Sequence, residues 1–241
     1  MLGYLNEFVI WLVPQKDQKE IPKLKYLGSA ARLSPEISLQ QASMELGNLI
    51  DITEEMLTET KEYLGCEKQN KKLFKHVQHL EEVTDNIEQE MITFVTAVQT
   101  NQLSREQSDR AYNYIRMADE LESIADCLQS MVLYRNRLFE QNESLSDEAW
   151  QDLLEYFDEI SGYFSKIGAA RNHSRNEARL KELLDHSIIL GKTGDKLRDR
   201  HLRRLRDRSC NLISAQTFSD MVISLRRIKN HSVNVLETIV V

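Results

Sequence analysis

Proline stops at Pro35. The chain has 241 residues and three prolines, Pro14, Pro22 and Pro35, so its last 206 residues carry none. Sheets and loop-rich enzymes need proline and glycine at their turns, yet only six glycines follow Gly28. A stretch of this kind folds as helices joined by short connections. Apolar residues at 41% and charged residues at 29% suit long amphipathic helices with wet outer faces.

The apolar spacing predicts six such helices. Ser34-Pro35-Glu36 opens the first with a capping serine, a proline at the first helical position and an acid at the positive end of the dipole. Its stripe is Leu39, Ala42, Leu46, Leu49, Ile50, Thr53, Met56 and Leu57 over residues 35–64, and Gly65 stops it. A second stripe, Leu73, Val77, Leu80, Val83, Ile87, Met91, Phe94 and Val98, covers 68–99. Ser104-Arg105-Glu106-Gln107 is a capping box and starts a third helix running to about 140. The pattern then restarts with helices over 147–171, from a capping box at Ser174-Arg175-Asn176-Glu177 to about 208, and from Thr217-Phe218-Ser219-Asp220 almost to the end. Leu121-Glu122-Ser123-Ile124-Ala125-Asp126 and Leu225-Arg226-Arg227-Ile228-Lys229-Asn230 share their Leu and Ile. Each falls in the last helix of a three-helix run, which suggests an internal repeat. The expected fold is all-α, two tandem antiparallel three-helix bundles at 35–140 and 147–241, behind a linker or membrane-proximal segment at 1–34.

Charge and cysteine narrow the function classes. Residues 36–174 hold 27 acidic and 12 basic side chains, whereas 175–208 hold 11 basic and 6 acidic ones. The net charge of −7 argues against nucleic acid as a partner. Cys66, Cys127 and Cys210 lie far apart without CxxC spacing, which points to a reducing, cytoplasmic setting and to neither a disulfide framework nor a zinc site. The apolar run over residues 8–13 is shorter than the roughly 18 residues of a membrane span and lacks the flanks of a signal peptide. Exposed, it would promote association with another surface or with a second copy.

Chemistry is concentrated in two carboxylate pairs. Glu81 and Asp85 are four apart in the second helix, and Glu122 and Asp126 are four apart in the third. That spacing puts both members of a pair on one helical face, beside the buried stripe. If neighbouring helices bring the pairs together, four carboxylates repel and favour either protonation or a cation. Hard oxygen donors suit Mg²⁺, Ca²⁺ or Mn²⁺, and carboxylate clusters in bundles also hold iron or zinc. Solvated surface acids are the other reading. His76 and His79, three apart, could share a metal, but surface histidines are the simpler reading, and His231 fits a helix-packing contact. The arginines Arg198, Arg200, Arg203, Arg204, Arg206 and Arg208 suit an anionic surface, yet Asp195, Asp199 and Asp207 are interleaved with them, as in a helix laced with ion pairs. No GxSxG, P-loop or HExxH occurs, and Gly191-Lys192-Thr193-Gly194 sits inside a helical pattern without the glycine spacing of a phosphate loop.

Asp119-Glu120-Leu121-Glu122-Ser123-Ile124-Ala125-Asp126 is similar to the "DLERIGD" signature of PhoU proteins, and Glu81 through Asp85 resembles the matching motif on the preceding helix. The resemblance implies tandem three-helix bundles, a regulatory and non-enzymatic role in phosphate uptake, and a divalent or trivalent metal ion held by Glu81, Asp85, Glu122 and Asp126. Tyr26-Leu27, Ser34-Pro35-Glu36 and Glu45-Leu46 also look like features of the PhoU-like domain behind the membrane part of bacterial sodium/phosphate cotransporters. That narrower likeness implies a cytoplasmic domain tethered to or beside the inner membrane, with the transporter's membrane part as partner. The second half departs from the pattern. Arg226 stands in the place of Glu122 and Asn230 in that of Asp126; Asp195 aligns with Asp85 and leaves Gly191 opposite Glu81. A metal site is therefore expected in the first half alone, with Arg226 and Lys229 supplying the cation's charge in the second. A stand-alone helical adaptor without a metal or phosphate role is the alternative. A carboxylate-bridged metalloenzyme would add Glu-x-x-His motifs, and none lies near the pairs.

Overall fold

A computed structural model describes residues 25–27, 34–170, 177–207 and 211–240. Among them are six helices, α1 (Pro35–Leu64), α2 (Lys71–Gln99), α3 (Arg105–Glu140), α4 (Asp147–Ala170), α5 (Glu177–Arg206) and α6 (Leu212–Val240), and no strand. The all-α class expected from the proline distribution is the class observed. The apolar run at residues 8–13, the capping box begun at Ser174, Arg208 and Cys210 lie outside the described residues.

The helix ends follow local chemistry. Ser34 caps α1 ahead of Pro35, and Asn70 Oδ1 accepts from the Leu73 N–H at 3.1 Å at the start of α2. The box at α3 is complete in both directions: Ser104 Oγ accepts from the Gln107 N–H at 3.2 Å, and Gln107 Oε1 accepts from the Ser104 N–H at 3.0 Å. Just past the end of α3 stands Asn142, which has φ 52°, the only positive φ among the described residues. The Glu143 N–H reaches back to the Leu138 carbonyl at 2.9 Å, the bond that closes a helix through a left-handed residue, a conformation asparagine tolerates.

One expected boundary is wrong. α6 starts at Leu212, not near Thr217, because Asn211 Oδ1 accepts from the Ser214 N–H at 2.8 Å and supplies the cap. Thr217 is buried inside the helix, so its capping chemistry goes unused. Gly191 and Gly194 lie within α5, away from any phosphate-type loop.

Within each half, consecutive helices run up, down and up. Glu59 meets His76 across α1 and α2, and Glu81 meets Asp126 across α2 and α3. In the second half Asp152 meets Arg204 across α4 and α5, and Asp195 meets Arg226 across α5 and α6. The first half's core contains Leu39, Leu49, Met56, Val77, Met91, Leu121 and Leu128. The second is more aromatic, with Tyr156, Phe157, Tyr163, Phe164 and Phe218 fully buried. Burying such side chains contributes roughly 1.5–3 kcal/mol each.

The most extensive helix–helix contact joins the halves, α3 against α6. Arg116 pairs with Glu237 at 3.0 Å, Glu120 accepts from Asn234 at 2.9 Å and lies 2.7 Å from His231 Nδ1, and Arg227 lies near Cys127. Numbers rise on one helix as they fall on the other, so the pair is antiparallel. A second join is Arg135, whose guanidinium stacks 4.1 Å over Phe139 and 4.5 Å over Trp150 of α4.

The segment before α1 is tied down by a buried acid. Glu45 is wholly enclosed, and its two oxygens accept from the Tyr26 N–H at 2.8 Å and from Asn48 Nδ2 at 2.9 Å. Lys25 Nζ donates to Asn48 Oδ1 at 2.5 Å.

Candidate functional site: an acidic ladder between α2 and α3

The antiparallel pairing of α2 and α3 brings the predicted residues to one seam. Glu81 lies against Asp126, and Asp85 against Glu122 one turn further along. Glu88 and Asp119 form a third rung, which the sequence reading did not include. The missing signal was present: Glu88 lies seven residues after Glu81 and Asp119 three before Glu122, the offsets that keep a residue on one helical face. Gln129 donates to Glu81 Oε2 at 2.6 Å, and Gln89 donates to Asp85 Oδ1 at 3.0 Å.

No described lysine or arginine pairs with any of the six acids. Charge repulsion and partial burial therefore act with no described cation to offset them. Burial pushes the Glu122 carboxyl up to about 7, helped by Asp126, Glu88, Asp85 and Asp119. Glu81 is raised by burial and then by Asp126 and Asp85; Glu88 is raised by burial and then by Asp119 and Asp85. Two carboxylates held against one another, as those of Glu81 and Asp126 are, favour a proton or a cation between them. In donor type and charge the ladder fits a hard cation. Its spacing is that of a ladder and not of a closed cage: among the described residues, no three of its carboxylates bring one oxygen each within 4.8 Å of one another.

Between α5 and α6 the facing charges are paired. Arg226 Nη1 donates to Asp195 Oδ1 at 2.7 Å, the two residues that the sequence set against Glu122 and Asp85. That contact holds the Asp195 carboxyl below the usual range. Lys229 is lowered, first by burial and then by Arg226. Gly194 lets α5 approach closely here, since a Cβ would stand 2.7 Å from Tyr156 Oη and 3.3 Å from Arg226 Cγ.

The other candidates separate into pairwise contacts. His76 and His79 do not share a direction: His76 Nδ1 lies 2.6 Å from Glu59, and His79 Nδ1 3.7 Å from Glu82. His231 is the packing contact expected, joined to Glu120. The arginine-rich end of α5 is paired, but the partners come partly from another helix. Arg200 and Arg204 reach across to Asp152 of α4 at 3.0 and 2.9 Å, and the interleaved aspartates alone do not account for them.

Six long helices in two three-helix runs, with an acidic seam in the first, define an all-α protein of the helical-bundle class. A family model described as the PhoU domain matches residues 46–134. The matched stretch takes in the latter part of α1, all of α2 and most of α3, and with them all six acids of the ladder. No curated protein matches the chain. None of the described helices is long and apolar enough to cross a membrane.

Proposed function

We infer that this chain is a regulatory module of phosphate transport, a PhoU-like domain that acts from the cytoplasm on the membrane part of a sodium/phosphate transporter and carries no catalysis of its own. The observation behind this reading is the coincidence of the PhoU match with the ladder. The ladder of Glu81, Asp85, Glu122 and Asp126, extended by Glu88 and Asp119, is its cation site. A bound divalent or trivalent ion would neutralise the rungs and draw α2 toward α3. The free thiols of Cys66 and Cys127 suit a reducing compartment. The partner reading rests on the likeness of Tyr26-Leu27, Ser34-Pro35-Glu36 and Glu45-Leu46 to the cotransporter-linked domain; the Tyr26 N–H donates to Glu45 Oε2 at 2.8 Å.

Two measurements test this. Sodium-driven uptake of labelled phosphate should change when the gene is deleted and return when it is restored; unchanged uptake would remove the transport role. Purified protein should rise in melting temperature with Mn²⁺, and Asp85→Asn plus Asp126→Asn should abolish the rise. The open spacing of the ladder oxygens favours one second reading, a helical adaptor without metal. Unchanged phosphate uptake, in a protein whose melting ignores every cation, would select it, since that adaptor has neither a metal nor a phosphate role.

A further inference from the structure

The histidine of α2 that turns away from its neighbour turns toward α1. His76 Nδ1 lies 2.6 Å from Glu59 Oε2. Glu55, one turn before Glu59, brings a third ligand atom, and all three lie within 4.8 Å of one another. Glu55 has no hydrogen bond or ion pair with another described residue, and Glu59 is paired with no lysine or arginine among them. The three side chains are thus a nitrogen and two carboxylates with one mutual contact and no other obligation. They stand apart from the ladder. His76 precedes Glu81 by five residues, about 140° around the helix, so His76 faces α1 while Glu81 faces α3.

We propose that Glu55, Glu59 and His76 bind one first-row divalent transition metal of the zinc class, with water as the remaining ligand, fastening α1 to α2. An imidazole with two carboxylates suits zinc and its neighbours, whereas Mg²⁺ and Ca²⁺ prefer oxygen-only shells. Zinc bonds of about 2.0–2.2 Å place tetrahedral ligand atoms roughly 3.4 Å apart. The His76–Glu59 contact must open from 2.6 Å, which partly exposed side chains do by rotamer change alone; the His76 and Glu59 side chains are 44% and 20% exposed. The ion takes the place of the proton now shared between imidazole and carboxylate.

The test is calorimetric titration of the untagged full chain with Zn²⁺, repeated on His76→Ala, Glu55→Gln, His79→Ala and the ladder variant Asp85→Asn plus Asp126→Asn. Relative to wild type, His76→Ala and Glu55→Gln should each bind one zinc fewer. His79→Ala should keep the wild-type number, and the ladder variant should keep this site even if it loses others. Co²⁺ should give the visible absorption of a tetrahedral ion in wild type and in the ladder variant, and not in His76→Ala. Circular dichroism confirms folding, and Glu55→Gln removes no existing contact, so the test survives any instability of His76→Ala. The proposal is overturned if wild type takes up no zinc, if Glu55→Gln binds as much as wild type, or if zinc is lost in the ladder variant alone. The last result would leave the ladder reading standing and this one not.

Discussion

Replacing Glu122 by glutamine should stabilise the metal-free protein, by an amount that grows above about pH 4.5 and is complete above about pH 7. The Glu122 carboxyl is raised from 4.5 to about 7 by burial and by Asp126, Glu88, Asp85 and Asp119. A carboxyl whose pKa is raised on folding holds its proton more tightly in the native state. Its favourable contribution is complete below about pH 4.5 and is lost as pH rises through about 7. At about 1.36 kcal/mol per pKa unit the ceiling is on the order of 3 kcal/mol. The seam is partly open to water and Asp126 is exposed, so screening leaves roughly 1–2 kcal/mol. Glu122→Gln removes the ionisation and with it the loss. In chelator at pH 8 its melting temperature should exceed wild type by about 2–8 °C, at roughly 2–4 °C per kcal/mol for a chain of this size; at pH 4.5 the two should coincide. Added Mn²⁺ should reverse the order, because the ion stabilises only a protein that retains the ladder. Melting scans by circular dichroism at the two pH values, with chelator or Mn²⁺, give the answer. A glutamine variant no more stable than wild type at pH 8 in chelator would refute the reasoning, since the rungs would then carry no uncompensated charge.

Three further outcomes are expected. Gly162→Ala, whose new methyl meets nothing within 4 Å in the middle of α4, should gain about 0.5–1 kcal/mol, while Gly194→Ala, pressed against buried Tyr156, should lose about 1–3 kcal/mol; urea denaturation separates the signs. His231→Ala takes the imidazole from Glu120, a residue 9% exposed between α3 and α6, and should cost about 1–3 kcal/mol by the same assay. Residues 34–145 expressed alone should form a dimer by light scattering, with α3 paired to α3, because α6 no longer covers the face around Ile124; a stable monomer would show that the first half needs no such cover.

What could be read along the chain is what depends on a residue's near neighbours. The stripe from Leu39 to Leu57 is buried throughout as its spacing required, and Ser34 and Ser104 cap where their local bonds allow. The carboxylate pairs were visible because four residues is one helical turn. Thr217 shows the limit: its capping chemistry is real, but Asn211 lies earlier and the buried face of α6 begins with Ser214 and Ala215. Tertiary structure alone decided which faces meet. The seam of Glu81 with Asp126, the turning of His76 toward Glu59, and the reach of Arg204 to Asp152 all depend on how one helix is placed in height and rotation against another. That register is fixed by packing of whole side-chain layers and by loop lengths, not by any residue's own neighbours. The same holds for α3 against α6. Their apolar faces announce burial through periodicity, but their partner is chosen only when both three-helix runs exist and each still has one face to cover.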